Sequence, residues 1–412
     1  MVTVFKKNFS FVLILAAILN SCSAEKFVGG DAANIHGGMT RANSFENFEP
    51  FVTGDFTEEK LAPKDSSGTI VAPLVFSNYQ TYLATSGGTI ILAGATGVLW
   101  EAKLDNGAIV AAGMCADKNQ NLYAIANDGF LYSFDVNGKR RFKKQVATGD
   151  MSLVLFPDLL AMSDGIVAGA SSGVVLKMSF DGKVIWERAS TFAPTGFASD
   201  GNGVFIGMSG NTFATTDSLL YIQADGRQLW ERPFENMRII HTPAVSGSKI
   251  FLTGVRSAQD SRVPVVHVMD MTGRIIWSRE LPVMPRGVSV AGDGTIYVAG
   301  SQVGVGETRG AVTSLAPDGN KNWTMFFDMN VVTPAMIGAD VVTCVGTQGR
   351  AVGLYVLNRG DGELRSVLSL SDAPLFYSQP GISPDGTIVF AQSERAGIVR
   401  ILEGALHRLS PF

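Results

Sequence analysis

Three cysteines and four histidines carry most of the reactive chemistry available to this sequence, and their positions restrict it. His36, His241, His267 and His407 fall in four different segments, none with metal-ligand spacing. His267 lies in the alternating run Val265-Val266-His267-Val268-Met269 and is read as a packed strand residue. His241 precedes the proline of an inner strand and could look into a central channel. Asp117-Lys118-Asn119-Gln120-Asn121 starts like a calcium loop, but Leu122 stands where Gly is needed and Asp128 where Glu is needed. It is read as a polar turn. No G-x-S-x-G elbow is present and no two cysteines are adjacent. Cys115 and Cys344 are expected to be buried free thiols, although an oxidising compartment would permit a disulfide. No catalytic residue, metal ligand or cofactor site is assigned, and the protein is expected not to be an enzyme.

The elements that would position any site form a repeat. Asp225-Gly226 is followed four residues after its Gly by Trp230. The same figure recurs as Asp181-Gly182 with Trp186, Thr272-Gly273 with Trp277 and Asp318-Gly319 with Trp323. Asn137-Gly138 carries Phe142 in the aromatic place, and Gly97 repeats the figure one residue short with Trp100. Asp361-Gly362 and Glu403-Gly404 keep the turn and have Ser366 and Arg408 where the aromatic would be. All five Trp fall in this register, at steps of 41 to 47 residues between glycines. Short strands at a period of about 40 to 50 residues describe β-propeller blades. The fold class is therefore all-β, an eight-bladed propeller of four-stranded antiparallel blades, with seven blades as the alternative. The aromatics are read as structural, because a repeat cannot cover its own faces and must use the same position to meet its neighbour.

Charged residues make up 17% of the chain, Gly is 46 of 412, and the net charge is −4. Few charges and many glycines suit a sheet protein with tight turns, and the small net charge argues against a nucleic-acid partner. Lys6-Lys7 followed by an apolar run from Phe9 to Leu19 has the layout of a secretory signal, too short to span a bilayer. Residues 1–21 are assigned to that signal, 22–72 to a flexible tether, and 73–412 to the propeller. The last outer strand is expected at Ala405–Leu409; how the ring closes is left open.

Leu19-Asn20-Ser21-Cys22 resembles the bacterial lipoprotein signal, in which the cysteine is lipidated and becomes the first residue of the mature chain. Ser23, where inner-membrane retention would place Asp, implies by the same resemblance the periplasmic face of the outer membrane. The recurring strand, Asp-Gly, spacer, Trp phrase resembles the PQQ-type propeller repeat over residues 73–412. Two groups share that repeat: quinoprotein dehydrogenases, and non-enzymatic lipoproteins of the BamB type that assist outer-membrane β-barrel assembly. The absence of a vicinal cysteine pair and the short chain favour the second. The resemblance implies a lipid-anchored scaffold that contacts a β-barrel assembly protein or another envelope protein. The alternatives are a receptor for a small ligand or cell-wall glycan and, least favoured, a quinone-dependent dehydrogenase.

Two surface features complete the expectations. The connections at Ser209–Asp217, Arg256–Val263 and Ser301–Arg309 are enlarged in three successive repeats, and loops on a rigid scaffold are where binding concentrates. Ser209, Asn211, Arg256, Asp260, Arg262, Glu307 and Arg309 are the candidate partner-binding residues. The basic run Lys139-Arg140-Arg141 with Lys143-Lys144 is read as an outer edge that discourages strand addition, or else as a face toward anionic lipid.

Overall fold

The computed structural model describes residues 33–34, 56–61, 74–75, 80–94, 97–210, 216–239, 241–258, 261–302, 309–348, 351–369, 381–382, 388–392 and 397–403. Among them are eight antiparallel sheets and no α-helix. Blade 1 runs from Leu74–Val75 through Thr81–Ala84 and Thr89–Gly94 to the outer strand Gly97–Lys103. The outer strands of blades 2 to 7 are Arg140–Gln145, Val184–Ala189, Gln228–Phe234, Ile275–Glu280, Lys321–Phe327 and Leu364–Ser369. Within each of these sheets the strands pair in chain order, so each blade is a meander.

The core sits between blades rather than inside them. Tyr82, Ile90 and Leu92 of blade 1 share one buried cluster with Met114, Leu122 and Phe134 of blade 2. Equivalent clusters join blades 2 and 3, 3 and 4, 4 and 5, 5 and 6, and 6 and 7. Second and third strands are therefore buried almost throughout, as in Leu122–Ile125, Ile166–Ala170 and Gly310–Leu315.

Each Trp closes one of these seams. Trp100 donates its indole N–H to the Val136 carbonyl at 2.9 Å, Trp186 to Ala224 at 3.2 Å, and Trp230 to Met271 at 3.0 Å. Trp277 reaches Pro317 at 3.1 Å and Trp323 reaches Arg359 at 3.2 Å. Every acceptor stands just before the turn glycine of the next blade. The ring lies on that glycine: a β-carbon at Gly226 would come within 2.7 Å of Trp186, and one at Gly362 within 2.5 Å of Trp323. Gly226 also has φ +92°, so its conformation and the close approach both require glycine.

A repeated β-bulge aims the ring. The third and outer strands pair in register up to Trp186 opposite Lys177, then shift so that Val184 faces Met178. The same shift occurs beside Trp100, Phe142, Trp230, Trp277, Trp323 and Ser366. A bulge bends its strand and turns a side chain out of the plain alternation. It also leaves Leu99, Ile185, Leu229 and Ile276, the extra residues, exposed at the rim.

The outer strand of the last blade differs from the expectation, and it closes the ring. Blade 8 pairs Gly381–Ile382, Ile388–Gln392 and Gly397–Glu403 in order, and its outer strand is Phe56–Leu61. That strand runs antiparallel with Phe56 opposite Glu403 and Leu61 opposite Ile398. The outer place expected for Ala405–Leu409 is thus filled from the N-terminal side, and residues 405–409 lie outside the described residues. Phe56–Leu61 comes from the stretch assigned to a tether. The sequence missed it because blade 8 has no Trp and this strand stands before the first repeated turn. Backbone pairing of the two chain ends closes the ring, and the inner strands of blades 8 and 1 lie side by side. A second N-terminal pair, Ala33–Asn34, adds antiparallel to Cys115–Ala116 on the inner edge of blade 2.

Candidate interaction surface

Antiparallel blades give the ring two unlike faces. One, the turn face, carries the tight connections from inner to second strand and the Asp-Gly turns. The other, the loop face, carries the second-to-third-strand connections and the passages between blades. All three enlarged connections belong to the loop face.

Their structures differ from one another. In blade 4 the stem is held by Asp217, fully buried, whose carboxylate accepts from the amides of Gly210 at 3.1 Å and Ile239 at 2.6 Å. Arg238 lies 3.8 Å from the same carboxylate and donates to the Gly210 carbonyl. In blade 5 the expected loop over Arg256–Val263 is instead a continued hairpin, Lys249–Ala258 paired with Ser261–Asp270 up to Ala258 opposite Ser261. Two strands of matched length, the second rich in valine, keep their ladder where an enlarged connection was expected. Arg256 and Arg262 are exposed, and Arg256 pairs with Glu280 at 2.5 Å. In blade 6, Arg309 stacks over Phe326 with its guanidinium carbon 4.4 Å from the ring centroid. Ser209 is half-buried at the blade 4 stem. Asn211, Asp260 and Glu307 lie outside the described residues.

A further feature of the loop face was not legible in the sequence. The passage from blade 2 to blade 3 exposes Leu153 at 83% and Leu155 at 76%, the two most exposed large apolar side chains described. The passage is nevertheless fixed. Asp150 accepts from the amide and hydroxyl of Ser152 and caps a single 3-10 turn, Met151–Leu153. Leu155 and Ser171 exchange two hydrogen bonds, at 2.8 and 2.7 Å, tying the passage to the hairpin of blade 3. At the far end Asp158 accepts from the Gly113 amide at 2.6 Å. The apolar tips therefore stand in solvent on a passage bonded to blades 2 and 3. Their run, Met151-Ser152-Leu153-Val154-Leu155-Phe156, reads as core-forming in sequence, which is why the composition alone concealed it.

The titratable groups set aside in the sequence are held structurally. His267 stacks on Phe234 and contacts Ser278 and the Met237 sulfur; burial, with Arg256 nearby, lowers its pKa to about 4. His241 meets the Pro285 carbonyl of the blade beyond. Asp117 accepts from the Asn119 and Asn121 amides and from the Tyr123 hydroxyl, a closed polar turn. Cys115 and Cys344 are both buried and neither is in a disulfide, and burial pushes the Cys344 thiol up to about 12. Three of the basic run are engaged locally: Arg140 and Lys143 with Asp105, and Arg141 with Tyr123 and the Phe180 carbonyl. Among the described residues no three His, Cys, Asp or Glu side chains are placed to hold a metal. A cavity of about 300 Å³ lies between blades 3 and 4, but its polar walls pair with each other, Arg188 with Gln228 and Ser218 with Glu231.

With these features in place, comparison with known proteins is decisive for the family. A family model described as outer membrane protein assembly factor BamB matches residues 56–200 and 195–404. The chain belongs to this family. The match begins at the strand that completes blade 8. Among curated proteins none matches the sequence significantly. Among solved structures, BamB from Moraxella catarrhalis is similar at a TM-score of 0.61 and 16% identity, over 84% of this chain and 99% of that one. A europium-containing methanol dehydrogenase aligns at 0.66 and 10%, over 94% and 99%. The C-terminal WD40 domain of Sif2 aligns at 0.63 and 11%, over 87% and 100%. At such identities these likenesses show the propeller fold and nothing of chemistry.

Proposed function

We propose that the protein is a non-enzymatic, lipid-anchored scaffold on the periplasmic side of the outer membrane, where it docks a component of the β-barrel assembly machinery. The observation that carries the docking is the pair Leu153 and Leu155, rigidly presented on the loop face. Interface anchors are apolar side chains that reach a partner pocket without losing much conformational freedom on binding. Family membership supports the kind of partner, and Cys22 after its signal-like segment supports the anchor.

The experiment is a crosslinking pull-down from intact cells with the full-length protein, beside Leu153→Glu/Leu155→Glu and Cys22→Ala versions. The wild type is expected to recover a β-barrel assembly component. The leucine variant is expected to lose most of it while keeping the melting temperature of the wild type. Recovery of an assembly component at wild-type level by the leucine variant removes the leucines from the interface. Recovery of none by any version removes the assembly role.

A further inference from the structure

Ala33–Asn34 is a short strand, but its place and direction carry information that the propeller alone does not. It is the fifth strand of blade 2, added on the channel side, and it also lies near the inner strands of blades 1 and 3. Its register sets Ala33 opposite Ala116 and Asn34 opposite Cys115. Ala116 is the last residue of its strand before the turn at Asp117 on the turn face. Because the pair is antiparallel, the chain preceding Ala33 leaves the channel toward the turn face.

We infer that the N-terminal segment seats in the mouth of the central channel and orients the propeller, turning the turn face toward the membrane and the loop face away from it. This rests on the lipid anchor at Cys22. Ten residues separate Cys22 from Ala33, a reach of at most about 40 Å over the eleven steps fully stretched. A path across one blade from inner to outer strand takes about 15 Å, and a descent along an outer strand of six or seven residues takes about 20 Å. That path takes about 35 Å, so a bilayer across the loop face would require the segment to be almost fully extended, whereas one across the turn face would not. The anchor therefore holds the turn face near the bilayer and leaves Leu153 and Leu155 pointing into the periplasm. The matching partner surface is a periplasmic portion of a membrane protein standing at least one propeller height, roughly 20 Å, from the headgroups.

Two measurements test the inference. The seat is tested by Asn34→Cys in a mature chain carrying Cys22→Ser and Cys344→Ser. Residues directly opposite on antiparallel strands are close enough for a disulfide. Mild oxidation of the folded protein should consume the thiols at 34 and 115, whereas Gly30→Cys in the same background should remain reactive. A reactive thiol at 34 after oxidation overturns the seat.

The orientation is tested with the otherwise unaltered full-length lipoprotein on phosphatidylethanolamine–phosphatidylglycerol vesicles containing headgroup nitroxides. A fluorescent amino acid replaces Lys183, on the turn face, or Leu153, on the loop face. Quenching should be at least twofold stronger at 183; equal or reversed quenching overturns the orientation. If the full-length protein does not float with vesicles, the anchor reading fails by itself. The same comparison is then run on mature chain coupled to a maleimide lipid at Cys22, since Cys115 and Cys344 are buried.

Discussion

The turn glycines show how single positions hold the ring. A methyl group on Gly226 would both clash with Trp186 and force a side chain into a positive-φ conformation. Gly226→Ala is expected to destabilise by about 2 kcal/mol or more, read as a lower denaturant midpoint at unchanged slope. Trp186→Phe keeps most of the buried ring but leaves the Ala224 carbonyl with Lys177 as its remaining donor, so about 1 kcal/mol is expected to be lost. His267 supplies a pH signature. Its folded pKa of about 4 lies below the ordinary value of 6.5, so the unfolded chain binds the proton more readily. Its contribution is complete above about pH 6.5 and is lost as pH falls to about 4, by about 2 kcal/mol after discounting for partial exposure. His267→Gln should flatten the stability profile across that window in denaturant titrations. Asp270, held down to about 2 by its bonds to Thr272, acts below it, its contribution fading between about pH 4 and pH 2.

At the scale of elements, the outer strands divide into two kinds. Those of blades 1 to 7 carry the bulge that turns an aromatic or its substitute onto the next blade. Phe56–Leu61 pairs with Gly397–Glu403 without any shift, so blade 8 is held by its ladder instead of a Trp lock. Deleting residues 22–61 should lower the melting temperature by 10 °C or more and broaden the transition, whereas deleting only 22–31 should change it little. Calorimetry of the two truncations would separate the closing strand from the segment before it. The Leu153–Leu155 passage is an element of the opposite kind, ordered yet outside the core, and its substitution should leave melting unchanged.

For the whole molecule, chain ends and faces are linked. Two N-terminal strands meet the ring, one on the inner edge of blade 2 and one at the rim of blade 8. Locking position 34 to Cys115 shortens the free N-terminal chain before Phe56 and should raise the resistance of the protein to proteolysis near residue 56, measurable as a slower first cleavage in limited digestion.

The repeat, blade count, all-β class and Trp register could be read from sequence because each blade must solve the same local problem: a tight positive-φ turn, then a ring to cover the neighbouring seam. Gly226 and Trp230 announce that problem by type and spacing alone. The closing strand could not be read this way, because Phe56–Leu61 has no internal signal and acquires its role only from a partner more than three hundred residues away. Leu153 and Leu155 were hidden for a related reason: apolar composition records what a side chain is, and only the tertiary arrangement decides that these two remain in solvent. The direction in which the N-terminal segment leaves the ring is likewise a matter of register between distant strands, which no local pattern contains.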